Sequence, residues 1–119
     1  MKRARKLGEH ELERLELDRA ILNAVRTGRV TLGAKRALAM AMGKRARLII
    51  IASNCPMEIR RAIEESAKMA GIHTYAYRGS SLDLGRATGK RFPVSALAVR
   101  EPGDSNILSL MEEPKVEQD

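Results

Sequence analysis

One cysteine and two histidines in 119 residues leave little room for several kinds of chemistry. A lone thiol cannot build an intrachain disulfide framework or a CxxC metal site, and it fits a reducing compartment. With so few His and Cys residues, no metal constellation is visible and no cofactor is expected. Long apolar runs are missing too. The longest, around Leu48–Ala52, is far too short to span a bilayer, so no membrane partner is expected. The opening MKRARKLGEHELERLELD is basic but lacks an apolar h-region, so no secretory signal is expected. The expectation is a soluble cytoplasmic protein, with one domain at this length.

The most informative absence is of acid. No Asp or Glu occurs from Arg19 to Met57, a stretch that carries eight cations: Arg19, Arg26, Arg29, Lys35, Arg36, Lys44, Arg45 and Arg47. A second acid-free stretch, Leu84 to Arg100, holds Arg86, Lys90, Arg91 and Arg100. The net charge is +7 and the pI about 10.1, so outside these two stretches the chain is net negative. Charge segregated in this way points to a polyanionic partner.

What is present alternates between helix and strand. Glu9–Thr27 has Leu12, Leu15, Leu22 and Val25 near helical spacing, and Gly28 ends it. Val30–Leu32 reads as a brief strand, and Ala34–Met42 as a helix closed by Gly43. Leu48–Ala52 is β-branched and uninterrupted, a buried strand. Pro56–Ala70 is the clearest helix, with Pro56 expected at its first position, Glu64 and Lys68 paired on its outer face and Gly71 as its stop. Ile72–Tyr77 alternates as a third strand. Ser80-Ser81-Leu82-Asp83 is a capping box with Asp in the acidic place. Ser95–Val99 is the last strand, EPGDS a turn, and Asn106–Met111 a short helix. This order predicts the α/β class: a three-layer α/β/α sandwich around a four-stranded mixed sheet. Residues 1–17 are expected to be a charged N-terminal extension with a mobile basic tip, 18–111 the domain, and 112–119 an acidic, disordered tail.

Three places could carry a function. In TLGAKRALAM, Lys35 and Arg36 stand in the first turn of a helix, where the macrodipole is positive and a stability-driven sequence would place acids. Gly33 leaves the first N–H groups uncovered, so the three form an anion site. GSSLDLGRATGKRFPV invites comparison with a phosphate-binding P-loop. The comparison fails: Gly85 to Gly89 is one residue short, and Arg91 stands where Ser or Thr should hold magnesium. What remains is a basic loop in which Arg86, Lys90 and Arg91 would meet phosphates. Phe92 and Val94 either contact bases as exposed apolar groups or, for Phe92, plug the core.

The third place is the Asn54-Cys55 pair after the second strand, at the carboxyl end where ligands bind in α/β sheets. A thiol near a helix N-terminus can be activated, but such catalysis needs a nearby base. His73 is expected at the opposite strand end, so Cys55 reads as a packing residue and no catalytic residue is assigned. Asn54 is either a turn former or an amide that pairs with a base edge.

TLGAKRAL, KRARLIIIASNCP, YRGSSLDLGRATGKRFPVSALAV and EPGDSNIL follow in order, and together they resemble the "L thirty-e" family of archaeal and eukaryotic large ribosomal subunits. That family belongs to the kink-turn RNA binders typified by "L seven-A-e". The resemblance covers about residues 18–110 and implies the same sandwich. It also implies a non-catalytic protein of the large subunit whose partners are ribosomal RNA and neighbouring ribosomal proteins, present as a monomer within the ribosome. The RNA surface it implies is Gly33 and Lys35, Asn54, and Phe92 and Val94 with Arg86 beside them. In the wider kink-turn group the start of this same helix carries Asn-Glu where this chain has Ala34-Lys35, so base reading there need not be the same. The rival readings are a kink-turn protein of a small RNA-modifying particle or of RNase P, and, more remotely, a small thiol enzyme.

Overall fold

The computed structural model describes residues 9–112. The basic tip 1–8 and the tail 113–119 fall outside the described residues. The elements are α1 (Glu9–Thr27), β1 (Arg29–Leu32), α2 (Ala34–Met42), β2 (Leu48–Ile51), α3 (Met57–Ala70), β3 (His73–Ala76), α4 (Ser81–Ala87), β4 (Ala96–Glu101) and α5 (Ile107–Glu112). The strands form one mixed sheet in the order β1-β4-β2-β3. β4 runs antiparallel to both β1 and β2, and β2 runs parallel to β3.

Strand periodicity divides the apolar residues between two layers. Leu48 and Ile50 of β2, with Leu97 and Val99 of β4, face a core built with Leu17, Ile21 and Ala24 of α1, Leu84 of α4 and Ile107 of α5. Ile49 and Ile51, with Ala96 and Ala98, face the other core, where Ala37 and Ala41 of α2 and Ile63 and Ala67 of α3 lie. β4 therefore shows large side chains to one layer and alanines to the other. The small face lets the alanine-rich side of α2 lie close to the sheet. The result is the expected three-layer sandwich, and the two central strands are buried on both faces.

Three local details differ from the sequence reading. Pro56 is the N-cap of α3, with ψ 137° in the extended range, and Met57 is the first helical residue. Glu64 pairs with Arg60, at 3.2 Å, rather than with Lys68. β3 ends at Ala76, and Tyr77 turns inward, its hydroxyl donating to Asp18 at 2.7 Å. Arg14 stacks over the Tyr77 ring with its guanidinium carbon 5.4 Å from the centroid, and reaches Asp83 at 3.4 Å. Helix α1 runs unbroken across the expected boundary at residues 17 and 18, and Arg14 ties its earlier turns to the start of α4.

Candidate nucleic-acid interface

Because β4 is antiparallel to its neighbours, one edge of the sheet collects the carboxyl ends of β1, β2 and β3 and the amino end of β4. Gly33, Asn54, Ser80 and the Lys90–Ser95 loop all follow or precede strands at that edge. The topology thus gathers segments some 60 residues apart in sequence.

Gly33 caps α2 with φ 113° and ψ 141°. An L side chain resists that φ, although a Cβ there would meet nothing within 4 Å. Glycine is needed here for conformation, not for space. Its N–H donates to the Ala96 carbonyl (2.8 Å), fixing the helix start to the first residue of β4. Among the described residues no side chain caps α2, and its first turn has no acid, so its leading N–H groups have no side-chain partner there. Lys35 and Arg36 are exposed on that turn. Neither makes an ion pair among the described residues.

The neighbouring helix start is closed. Ser80 and Asp83 form the expected capping box: the Asp83 N–H donates to Ser80 Oγ and the Ser80 N–H to Asp83 Oδ2. The next amide, Ser81 N–H, donates to Asn54 Oδ1 at 2.7 Å. Asn54 is exposed, and with its oxygen committed to Ser81 it presents its NH2 as a donor. Three helix N-termini therefore share this edge: α4 is satisfied by side chains, α3 has no side-chain cap but carries Glu58 in its first turn, and α2 has neither a side-chain cap nor an acid.

The Lys90–Ser95 loop is held from beneath. Lys90 N–H donates to the Gly85 carbonyl (3.0 Å) and Val94 N–H to the Ser81 carbonyl (2.9 Å). A Cβ on Gly85 would strike the Phe92 carbonyl oxygen, so glycine is what lets the loop lie on α4. Phe92 is 52% exposed, which resolves the choice between a core plug and a displayed ring in favour of display. Val94 is a correction. It was expected as an exposed contact, yet it is 2% exposed and packs in the first core with Leu84 and Leu97. Its burial anchors the loop and holds Phe92 out.

Arg36, Lys90 and Phe92, with Val30, Thr31 and Leu32 of the edge strand β1, line a groove of about 580 Å³. Gly33 and Lys35 adjoin it along the chain. Arg91 is exposed beside it, while Arg86 is exposed and lies 3.8 Å from Asp83 Oδ1, on the Asn54 side. Sequence reasoning missed Ser81, whose peptide joins Asn54 to the Phe92 loop, and the share of the groove that β1 supplies. Only strand order reveals that β1 is an edge.

Cys55 is buried, and burial pushes its thiol pKa up, away from an activated thiolate. His73 pairs in register with Leu48, at the far end of β2. Among the described residues, no group of His, Cys, Asp or Glu comes together in a way that could hold a metal ion.

A three-layer sandwich with a basic, aromatic-bearing groove at one sheet edge defines a class of polyanion-binding α/β domain. Residues 16–109 match the "Ribosomal protein L7Ae/L30e/S12e/Gadd45 family", and the chain belongs to it. It is 44% identical to "Large ribosomal subunit protein eL30" of Methanothrix thermoacetophila over 83% of this chain and 92% of that one. It is 40% identical to the protein of the same name from Aeropyrum pernix, over 83% and 99% of the two chains. Among solved structures it is similar in fold to "Giardia lamblia 15.5kD RNA binding protein", with TM-score 0.66 and 24% identity over 91% of this chain and 86% of that one.

Proposed function

We propose that this protein is a non-catalytic structural component of the large ribosomal subunit that clamps a bent internal loop of ribosomal RNA. Family membership and the curated relatives' names support the ribosomal setting. The observation that carries the RNA reading is the groove in which Arg36, Lys90 and Phe92 meet beside the uncapped start of α2.

Phosphates of the bent strand would sit over Gly33, Lys35 and Arg36, and Lys90 and Arg91 would hold the strand's continuation. A sharp bend crowds phosphates together, and free N–H donors plus cations offset their repulsion. Phe92 would stack on an unstacked base, a contact indifferent to base identity because every base has a π face. Asn54 NH2 would donate to an acceptor on a base edge, with the amide plane already set by Ser81. Val94 serves as the loop's buried anchor, and Arg86 is the outlying cation. The protein would act as a single copy among neighbouring ribosomal proteins in the cytoplasm.

Crosslinking in cell extract followed by sequencing of the attached RNA tests this reading. Recovery of one internal loop of large-subunit RNA is expected. Recovery of guide RNAs or RNase P RNA instead would move the protein to another particle.

A further inference from the structure

The opposite edge of the sheet carries a second cationic cluster that the loop-binding reading leaves unused. Lys44 and Arg45 lie in the turn after α2, Arg47 directly precedes β2, and Arg100 is near the end of β4; all four are exposed. Among the described residues none of them makes an ion pair. Arg29 is close by but faces Glu101 in register, so it has an acidic neighbour and is left out of the cluster. Asp104, in the following turn, is another acid close by, its N–H donating to Thr27 Oγ1 at the end of α1.

Two backbone irregularities present these cations. Lys44 has φ 55°, the only non-glycine residue with positive φ among those described, where glycine or asparagine would sit more easily. At Arg100 the ladder slips: Val30 pairs with Val99 but Arg29 with Glu101, so Arg100 is the extra residue of a bulge. Bulges re-aim a side chain. The β2–β4 ladder ends at Leu48 and Val99, and the Arg47 N–H also donates to the Val99 carbonyl, so Arg47 lies beside Val99, the residue directly before Arg100. The turn itself is pinned by Lys44 N–H to Ala41 O, Arg45 N–H to Met40 O and Arg47 N–H to Val99 O. Disfavoured conformations that are held rigidly and loaded with unpaired charge suit a preorganised anion contact.

We propose that Lys44, Arg45, Arg47 and Arg100 form a second RNA-binding patch that grips the sugar–phosphate backbone of a helical segment without reading its bases. No aromatic or amide side chain occurs between Gly43 and Leu48 or between Val99 and Glu101 to read a base. Double-helical RNA is held largely through its phosphates and shape, which needs only cations. The four residues of β2 span about 13 Å, so a folded RNA seated at the groove has further phosphates within reach of the far edge. The choice of RNA over another polyanion rests on the proposed function.

The test uses the full chain and a plain RNA duplex of about 20 base pairs with no internal loop, titrated at several salt concentrations. The triple variant R45Q/R47Q/R100Q is expected to bind the duplex about tenfold more weakly, with a salt slope shallower by about two to three units. Lys44→Gly is expected to weaken duplex binding while melting no lower than the parent, which separates loss of contact from loss of fold. A short internal-loop RNA, the probe for the groove, is expected to bind the triple variant as it binds the parent. Failure of the parent to bind that loop would count against the proposed function alone, because the duplex arm is read independently. An unchanged duplex slope in the triple variant overturns the patch, as does equal competition by polyglutamate.

Discussion

The Asn54 side-chain oxygen accepts the Ser81 backbone N–H at 2.7 Å, so one residue both caps α4 and is held in a fixed plane by it. The two roles separate by substitution. Asn54→Asp keeps the acceptor at a helix N-terminus, where a carboxylate is favoured, and stability should hold or rise slightly. It removes the NH2 and sets a negative charge against RNA, so affinity should fall by about tenfold or more, as for losing a base contact worth about 1–3 kcal/mol. Thermal melting alongside calorimetric RNA titration checks both halves; equal RNA affinity would show that Asn54 only caps.

Lys35 occupies a helix start that disfavours cations. Lys35→Ala should therefore leave stability unchanged or raise it by about 0.3–1 kcal/mol. RNA binding should weaken, with a salt slope shallower by about one unit or slightly less, as for one lost phosphate contact. Titrations that return the parent slope would remove Lys35 from the interface.

Phe92 and Val94, two residues apart, should respond in opposite ways. Phe92→Ala should cost about 1–3 kcal/mol of RNA binding through lost stacking and little stability, since half the ring is already in solvent. Val94→Ala empties a filled core site and should cost about 2 kcal/mol of stability. Paired denaturant unfolding and binding measurements decide it; a Phe92→Ala variant that unfolds as readily as Val94→Ala would mean the ring packs more than it displays.

Two carboxyls beside Arg14 should titrate in opposite directions. The Ser80 backbone N–H, assisted by the Ser80 hydroxyl and the Arg14 and Arg86 charges, holds Asp83 below its ordinary value of 3.8. The unfolded chain takes up that proton more readily, so Asp83 contributes stability that is complete above the ordinary value and lost as pH falls through the lowered one. Burial raises Asp18 above 3.8 despite the Tyr77 hydroxyl and Arg14. Its contribution is full below the ordinary value and lost as pH rises through the raised one. Asp83→Asn should flatten the acid side of a stability–pH curve, and Asp18→Asn the limb above it. Denaturant melts across pH 2–7 check the assignment, which fails if either variant keeps the parent curve.

Much of this molecule was legible from the chain. The helix from Ala34 to Met42, the capping box at Ser80 and the buried run Leu48–Ile51 depend on residues within a few positions of one another, so local propensity and periodicity suffice. The exposed, acid-free helix start at Lys35 and Arg36 was legible for the same reason: a helix start without an acid is a local fact. Val94 was not, because a short apolar residue in a loop carries no period, and whether it faces solvent depends on Leu84 and Leu97 beneath it.

Taken alone, the chain determined the order of elements, the segregation of positive charge and the residue types available for contact. Tertiary structure decided that Gly33, Asn54 and Phe92 share one edge, through the strand order β1-β4-β2-β3. It also decided that Arg47 bonds to Val99, the residue before Arg100, at the other edge, and that Phe92 points out while Val94 points in. Each of these outcomes is set by strand pairing and burial between residues distant in sequence, and those energies leave no local pattern to read.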